Sequence, residues 1–222
     1  ARIAMRAHNV EHEIWQRMTE NAAFWPKKWY LHHLTDKLKH YEKKQLLQYD
    51  ILVPITNRDL KKFRAFGYKN DAVVTPIGLD CSYYKPDFSS FQREMSISFI
   101  GSLDWMPNIE GLKWFLDNVW DRLNRKFPKL KLHIAGRNSP SWLNNMNMNN
   151  VMVHGEVDCA SSFINKHSLM IVPLHSGSGM RAKILEGMAL GKVVLTTTMG
   201  VEGIDAGHKE EVLIAETHEE FI

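Results

Sequence analysis

Cysteine and long apolar segments are the features that this sequence has least of, and each shortage excludes a class of protein. Only two of the 222 residues are cysteines, Cys81 and Cys159, which excludes a disulfide framework and gives no metal-site spacing. We expect both thiols to be reduced and buried. No apolar run is long enough to span a bilayer, and the first residues have no secretory signal pattern. These shortages predict a cytoplasmic globular protein.

Charge is nearly balanced overall but unevenly distributed. The formal net charge is +3, yet residues 1–70 hold 14 Lys and Arg against 7 Asp and Glu. A basic half can face anionic lipid, an anionic acceptor or nucleic acid, although a solvated surface is the more common explanation.

The chain around residue 175 has the pattern of a strand, a glycine loop and a helix. An apolar strand at 169–173 leads into the small-residue loop 175–179, and apolar residues then recur at helical spacing over 180–190. Glycine-rich backbone at a helix N-terminus suits a phosphate. Glu186, within that helix, can accept hydrogen bonds from ribose or sugar hydroxyls. The pattern indicates a site for a sugar nucleotide.

The second half of the chain repeats strand and helix. Apolar strands are predicted at residues 97–101, 130–135, 151–155, 169–173, 192–196 and 212–214. Their alternation with helices predicts an α/β domain with a Rossmann-like, doubly wound parallel sheet, whose ligand site lies at the carboxyl ends of the strands. The dinucleotide fingerprint is incomplete, because no second glycine follows Gly101 at the required spacing. The sequence therefore argues against NAD.

A polar stretch separates this domain from the first part of the chain. Strands are predicted at 50–55 and 72–75, and Thr56 can cap the helix between them. We expect a first domain at 1–88 and a second domain at 89–222. Because the chain begins without Met and stops within a helical pattern, we interpret it as part of a longer enzyme, with a truncated first domain.

Aromatic and basic side chains are mixed in one short segment of the first domain. They are Phe24, Trp25, Lys27, Lys28 and Trp29. This composition suits peripheral contact with an anionic membrane face and also single-stranded nucleic acid, although large aromatics at helical spacing more often belong to a core. No nucleic-acid motif accompanies the segment, so we expect no nucleic-acid partner.

Four segments of the chain have a characteristic order and spacing: residues 6–11, 75–80, 99–111 and 173–194. Together they resemble the retaining glycosyltransferases of family four, which have the GT-B fold of two Rossmann-like domains. The resemblance implies transfer of a sugar from a nucleotide-sugar donor, such as a UDP- or GDP-sugar, to an acceptor hydroxyl with retention. It also implies no bound metal and no other permanent cofactor.

The resemblance also assigns roles to single residues. His8 matches a histidine near the sugar and the leaving phosphate, and Glu186 matches the second glutamate of a pair, which contacts the donor ribose. We take these two as the catalytic candidates. The donor-binding candidates are Gly101, Ser102, Asn108, Arg137, Val157, Ser176, Gly177, Ser178, Gly179, Met180, Arg181, Lys183 and Glu186.

Two departures from the family pattern concern charge. Ser178 stands where the family has its first glutamate, and Ser102 and Asn108 stand where it has the basic pair that holds the diphosphate. Other basic residues would supply the missing charge: Arg137, Arg181 or Lys183. Lys183 is equally explained as a helical neighbour that pairs with Glu186.

Two functions of different classes remain open. One is a glycosyltransferase that acts on a glycan or lipid-linked acceptor in the synthesis of a cell-surface polysaccharide or glycoconjugate. The other is a nucleotide-sugar-binding module of the same fold that has lost transfer activity, because the departures in charge affect residues that act on the leaving group.

Overall fold

The computed structural model describes residues 2–20, 22, 24–177 and 179–222. The chain divides into two compact units. The first comprises residues 1–78, 176–180 and 202–204, and the second comprises residues 79–175, 181–201 and 205–222. Each unit contains its own parallel sheet.

The sheet of the first unit has the strand order β1-β2-β3. The elements of this unit are β1 (Ala4–Ala7), α1 (Glu11–Glu20), α2 (Trp25–Leu46), β2 (Ile51–Pro54), α3 (Asn57–Ala65) and β3 (Asp71–Ala72). Its core includes Leu52 and Phe63, since the sheet is covered by its helices. Thr56 caps α3, as predicted, by accepting a hydrogen bond from the backbone N–H of Asp59 at 3.0 Å.

The second unit alternates strands and helices around a larger parallel sheet. Its elements are a 3-10 turn (Phe88–Gln92), β4 (Ser96–Ile100), α4 (Met106–Phe115), a π-helical turn (Leu116–Trp120), α5 (Asp121–Lys126), β5 (Lys131–Ala135), α6 (Ser141–Asn144), β6 (Val151–Gly155), α7 (Ala160–Asn165), β7 (Leu169–Val172), α8 (Ala182–Ala189), β8 (Val193–Thr196), β9 (Leu213–Ile214) and α9 (His218–Phe221). The strand order is β6-β5-β4-β7-β8-β9, and the strands predicted for this half are confirmed.

β4 is a central strand of this sheet, paired with β5 on one side and β7 on the other. All of its residues are buried, as expected for a parallel strand covered on both faces. The core on one face includes Phe99, Phe115 and Trp120. Because the strand order reverses between β4 and β7, the carboxyl ends of these strands form the topological switch point at which such sheets bind ligands.

The expected burial of the two thiols is wrong. Cys81 is exposed and Cys159 is partly exposed. Both lie outside the sheets, Cys81 in a turn and Cys159 just before α7.

The aromatic and basic segment lies at the start of α2, and the interpretation of its aromatics as core residues is also wrong. Phe24, Trp25 and Trp29 are 67%, 76% and 68% exposed. The buried face of α2 is formed instead by residues such as Leu31 and Thr35. Among the described residues, no helix is both long enough and apolar enough to span a membrane.

Candidate functional site

A small group of hydrogen bonds surrounds Gly101, at the carboxyl end of β4. Lys183 Nζ, from α8, donates hydrogen bonds to the carbonyl of Ile100 at 3.0 Å and to Asn108 Oδ1 at 2.7 Å. Asn108 Nδ2 in turn donates to the carbonyl of Ser102 at 2.8 Å. A Cβ on Gly101 would lie 2.6 Å from Asn108 Nδ2 and 2.7 Å from Lys183 Nζ. The structure therefore brings Gly101, Asn108 and Lys183 together at the switch point.

The Lys183 ammonium is held in an environment that disfavours its charge. Desolvation lowers the pKa of Lys183 to about 7; the charge of Arg181 also lowers it, while that of Glu186 acts in the opposite sense. Lys183 as a whole residue is partly exposed, while its ammonium is desolvated. Its hydrogen bonds go to Ile100 and Asn108 rather than to Glu186. Because a desolvated ammonium gains strongly from a nearby anion, this arrangement favours an anion-binding role over a helical ion pair.

Glu186 lies one turn after Lys183 on α8 and is partly buried. Its carboxylate oxygen Oε1 accepts a hydrogen bond from the hydroxyl of Tyr84 at 3.1 Å. A carboxylate has further acceptor positions, so this contact leaves Glu186 able to accept hydrogen bonds from a ligand.

Ser102 and Arg137 meet where β4 and β5 end. Arg137 Nε donates to Ser102 Oγ at 3.0 Å, and Ser102 Oγ donates to Asp104 Oδ1 at 2.5 Å. Asn138 Nδ2 donates to the other oxygen of Asp104 at 2.8 Å. Hydrogen bonds from Ser102 and then Asn138 lower the pKa of Asp104, and the charge of Arg137 lowers it further. The cluster keeps an exposed guanidinium near the carboxyl end of β4.

Gly177 and Gly179 of the glycine loop belong to the first unit, where Gly179 lies against the segment after β1. A Cβ on Gly179 would collide with Asn9 Oδ1 and the carbonyl of His8, and the φ of Gly179 is +78°, so only glycine fits without strain. The structure thus brings His8, which is exposed, next to the loop. Ser178 lies outside the described residues.

The same loop is fixed by a charged network that the sequence did not indicate. The guanidinium of Arg17, on α1, donates to the carbonyl of Gly177. Its two terminal nitrogens also lie 3.3 Å from the carboxylate oxygens of Glu202. Arg58 Nε lies 2.9 Å from the same carboxylate. These contacts hold the backbone of Gly177 in place.

The other donor-binding candidates that the sequence predicted differ in their burial and in their neighbours. Ser176 is fully buried and Met180 partly buried. Arg181 precedes α8, is only 5% exposed, and has its guanidinium 5.9 Å from the ring centroid of Trp105. Val157 follows β6 and lines a recess of about 800 Å³ together with His133.

Sequence reasoning missed three residues at these places: Tyr84, Trp105 and Arg17. Tyr84 and Glu186 are separated by 102 positions, and Arg17 and Gly177 by 160. No local period or spacing relates residues so far apart, so the signal for these contacts exists only in the folded chain.

A family model matches the second half of the chain, and one known protein has a similar sequence. The model for glycosyl transferases group 1 matches residues 94–222. A Klebsiella pneumoniae protein named "Uncharacterized 44.6 kDa protein in cps region" is 26% identical over 129 residues, or 54% of this chain and 33% of that protein. The chain thus spans about a third of the length of that relative.

Solved structures share the fold. Sucrose-phosphate synthase from Thermosynechococcus elongatus has a TM-score of 0.71 at 13% identity, covering 98% of this chain and 56% of its own. HepE from Anabaena, in complex with UDP and glucose, has a TM-score of 0.68 at 12% identity, covering 99% and 59%.

At these identities the likeness concerns the fold alone, and the predicted α/β fold with parallel sheets, of the GT-B type, is confirmed. Because the family model matches more than half of the chain, the chain belongs to the glycosyl transferases group 1.

Proposed function

We propose that the protein transfers a sugar from a nucleotide-sugar donor to an acceptor hydroxyl with retention, as in glycosyltransferase family four. One observation carries the proposal: the Lys183 ammonium is desolvated beside Gly101 at the switch point, and Glu186 lies one turn further along the same helix. This spacing suits a ligand with an anionic diphosphate beside a ribose. The domain division at residues 88/89 is part of the same proposal.

The leaving group of such a reaction is a nucleoside diphosphate, whose developing charge must be neutralised. In the absence of the family's basic pair, Lys183 and Arg181 would supply positive charge from the start of α8, where the helix N-terminus adds to it. Arg137, held by Ser102, would supply a second cation.

The remaining roles follow from the resemblance. Glu186 would accept hydrogen bonds from the ribose hydroxyls, and Val157 would meet the base with backbone groups. His8 and the loop residues 176–180 would contact the transferred sugar, without a metal.

A binding and turnover assay of the purified protein tests this function and its alternative. UDP-, GDP- and ADP-sugars are screened by thermal shift, because a ligand that binds only the folded state raises the melting temperature. Release of free nucleotide is then followed for each sugar that binds. We expect selective binding and slow donor hydrolysis. Binding without nucleotide release from any donor would favour the module without transfer activity, and no binding at all would contradict both.

A Lys183→Gln variant tests the residue that carries the proposal. Removing the ammonium should weaken binding of the selected nucleotide by about tenfold or more, because hydrogen bonds to charged groups contribute roughly 1.5–3 kcal/mol. The exposed Lys166 gives a matched control, since Lys166→Gln removes the same charge away from the switch point and should leave affinity unchanged.

We also propose peripheral contact with the cytoplasmic face of a membrane, with a glycan or lipid-linked acceptor used in cell-surface polysaccharide synthesis. Exposed rings and lysines at the start of α2 support the contact: Phe24, Trp25, Lys27, Lys28 and Trp29. Amphipathic aromatics lie at headgroup level while ammonium groups attract anionic lipid. The relative in a cps region is consistent with this pathway.

Vesicle sedimentation tests the membrane contact. We expect the protein to bind vesicles of phosphatidylglycerol and phosphatidylcholine, to bind less at high salt, and to release when Trp25 and Trp29 are both changed to Ser. Tyr41, which is 59% exposed on the same helix, provides the control substitution Tyr41→Ser. Equal binding by the double variant would contradict the assignment of this surface.

A further inference from the structure

Tyr84 is the side chain that contacts Glu186, and no motif in the sequence assigned it a role. Its hydroxyl donates to Glu186 Oε1 at 3.1 Å. In the described part of the chain, Glu186 Oε2 has no hydrogen-bond partner. One carboxylate oxygen is therefore fixed by the protein, and the other is available to a ligand.

The backbone around Tyr84 is fixed at several points. Asp80 Oδ1 accepts hydrogen bonds from the N–H and the hydroxyl of Ser82, at 2.9 and 2.6 Å, which closes the turn before Tyr84. On the other side, Asn165 donates to the carbonyl of Lys85 at 2.9 Å and accepts from the N–H of Asp87 at 3.2 Å. This segment is thus tied to the second unit rather than free, and it presents the Tyr84 ring in one place.

The Tyr84 hydroxyl also remains a donor at neutral pH. Burial raises the pKa of Tyr84, and the hydrogen bond to the Glu186 carboxylate and its negative charge raise it further. A protonated phenol beside an ionised carboxylate gives a charge-assisted hydrogen bond, which is stronger than a neutral one.

We propose that Tyr84 is a positioning residue of the ribose site: it holds Glu186 through Oε1 so that Oε2 is directed to the ribose hydroxyls of a nucleoside diphosphate. Without this contact the Glu186 carboxylate is free to rotate about its last side-chain torsion, which is broad for glutamate. The carboxylate would then lose orientation when the ribose binds. This inference rests on the proposed function, and it adds a residue from the segment between the sheets to the donor site.

The experiment compares ribose recognition in Tyr84→Phe with that in the unchanged protein. Dissociation constants are measured by calorimetry for UDP, GDP and ADP and for their 2′,3′-dideoxy counterparts, and the ratio of dideoxy to ribose constants is taken for the nucleotide that binds. We expect this ratio to fall by about tenfold or more in Tyr84→Phe, the effect of one hydrogen bond to a charged group. Affinity for the dideoxy nucleotide should be unchanged, since it has no hydroxyls for Glu186.

Two controls separate a positioning effect from a general loss of structure. Tyr83 is adjacent and 66% exposed, so Tyr83→Phe removes a similar hydroxyl and should leave the ratio unchanged. Adding Tyr84→Phe to Glu186→Gln should change the ratio less than it does alone, because two residues that act through one contact are not additive.

The possible results distinguish a failure of the Tyr84 assignment from a failure of the proposed function. If the unchanged protein binds none of UDP, GDP and ADP, both the proposed function and the inference are wrong. If it prefers the ribonucleotide and Tyr84→Phe has the same preference, the inference alone is overturned. A weaker affinity for ribose and dideoxy nucleotides alike would also overturn it, since that result indicates a disturbed fold.

Discussion

Gly101 has no side chain, and this leaves room for the hydrogen bonds of Lys183 with Ile100 and Asn108. The Lys183 ammonium and the Asn108 amide occupy the space that a Cβ would need. Any side chain at this position must displace the ammonium or the amide. The glycine is therefore required by close approach, since its φ is not positive.

We expect Gly101→Ala to reduce nucleotide affinity by about tenfold while the protein remains folded. The new methyl group would lie 2.6–2.7 Å from Asn108 Nδ2 and Lys183 Nζ, so the ends of these two side chains must move, and a displaced ammonium would lose a hydrogen bond to a bound anion, which contributes about 1.5–3 kcal/mol. Gly78→Ala is the control, because a Cβ there has no neighbour within 4 Å. Calorimetry with the nucleotide selected by the thermal screen measures both. Equal affinity in Gly101→Ala would show that the contacts around Gly101 do not support binding.

At the scale of elements, Lys192 ties a turn to the sheet. It precedes β8 and is only 4% exposed. Its ammonium donates to the carbonyls of Asp87 and Asn165 at 2.5 and 3.1 Å and to Ser90 Oγ at 3.0 Å. The 3-10 turn (Phe88–Gln92) is thereby fastened to the end of α7. A buried cation with three oxygen partners is stable only while those partners stay in place.

We expect Lys192→Met to lower the free energy of unfolding by about 2–4 kcal/mol, because three acceptors, of which Ser90 is buried, lose a charged donor while the methionine retains most of the packing. Chemical denaturation followed by circular dichroism measures this change. Lys129 is exposed, so Lys129→Met should alter stability by about 0.5 kcal/mol or less. A loss as small as that of the control would mean that the turn is held by other contacts.

The positions of the strands could be predicted from the sequence, but the burial of single side chains could not. The strands of the second unit were predictable, because parallel strands buried on both faces are apolar along their whole length. The exposure of Trp25 was not, since a ring at helical spacing has the same pattern on a core face and on a free face. The exposed Cys81 was misjudged for the same reason: burial depends on which elements come to lie over a residue.

The site was partly predictable for a related reason. The expectations for the loop 175–179 and for Glu186 rest on a local pattern, glycines followed by a helix, which is the pattern that suits an anion. The partners of these groups, Tyr84 and Arg17, are contributed by distant segments. Within each unit, the chain path determines which distant side chain meets each of these groups.

At the scale of the whole molecule, a group of histidines couples stability to pH. His133 Nδ1 on β5 lies 2.9 Å from His154 Nε2 on β6. The ring of His167, after α7, lies 4.3 Å from that of His133 and its Nδ1 lies 2.9 Å from Ser96 Oγ. Desolvation, and then the charge of neighbouring histidines, lowers the pKa of His133 to about 4 and that of His167 to about 3.

These lowered pKa values determine the sign of the acid response. Between about pH 6.5 and pH 4 the unfolded chain binds protons at these histidines while the folded chain does not, so acidification favours unfolding. The slope reaches at most about 1.4 kcal/mol per pH unit for each histidine, and solvent screening reduces it for the half-buried His133. We expect His133→Gln to give a shallower fall of stability over this window, measured by urea denaturation at successive pH values. His40→Gln, at an exposed position on α2, should keep the full slope, since that imidazole is outside the group. If His133→Gln and the unchanged protein lose stability equally steeply above pH 4, acid sensitivity does not come from this histidine.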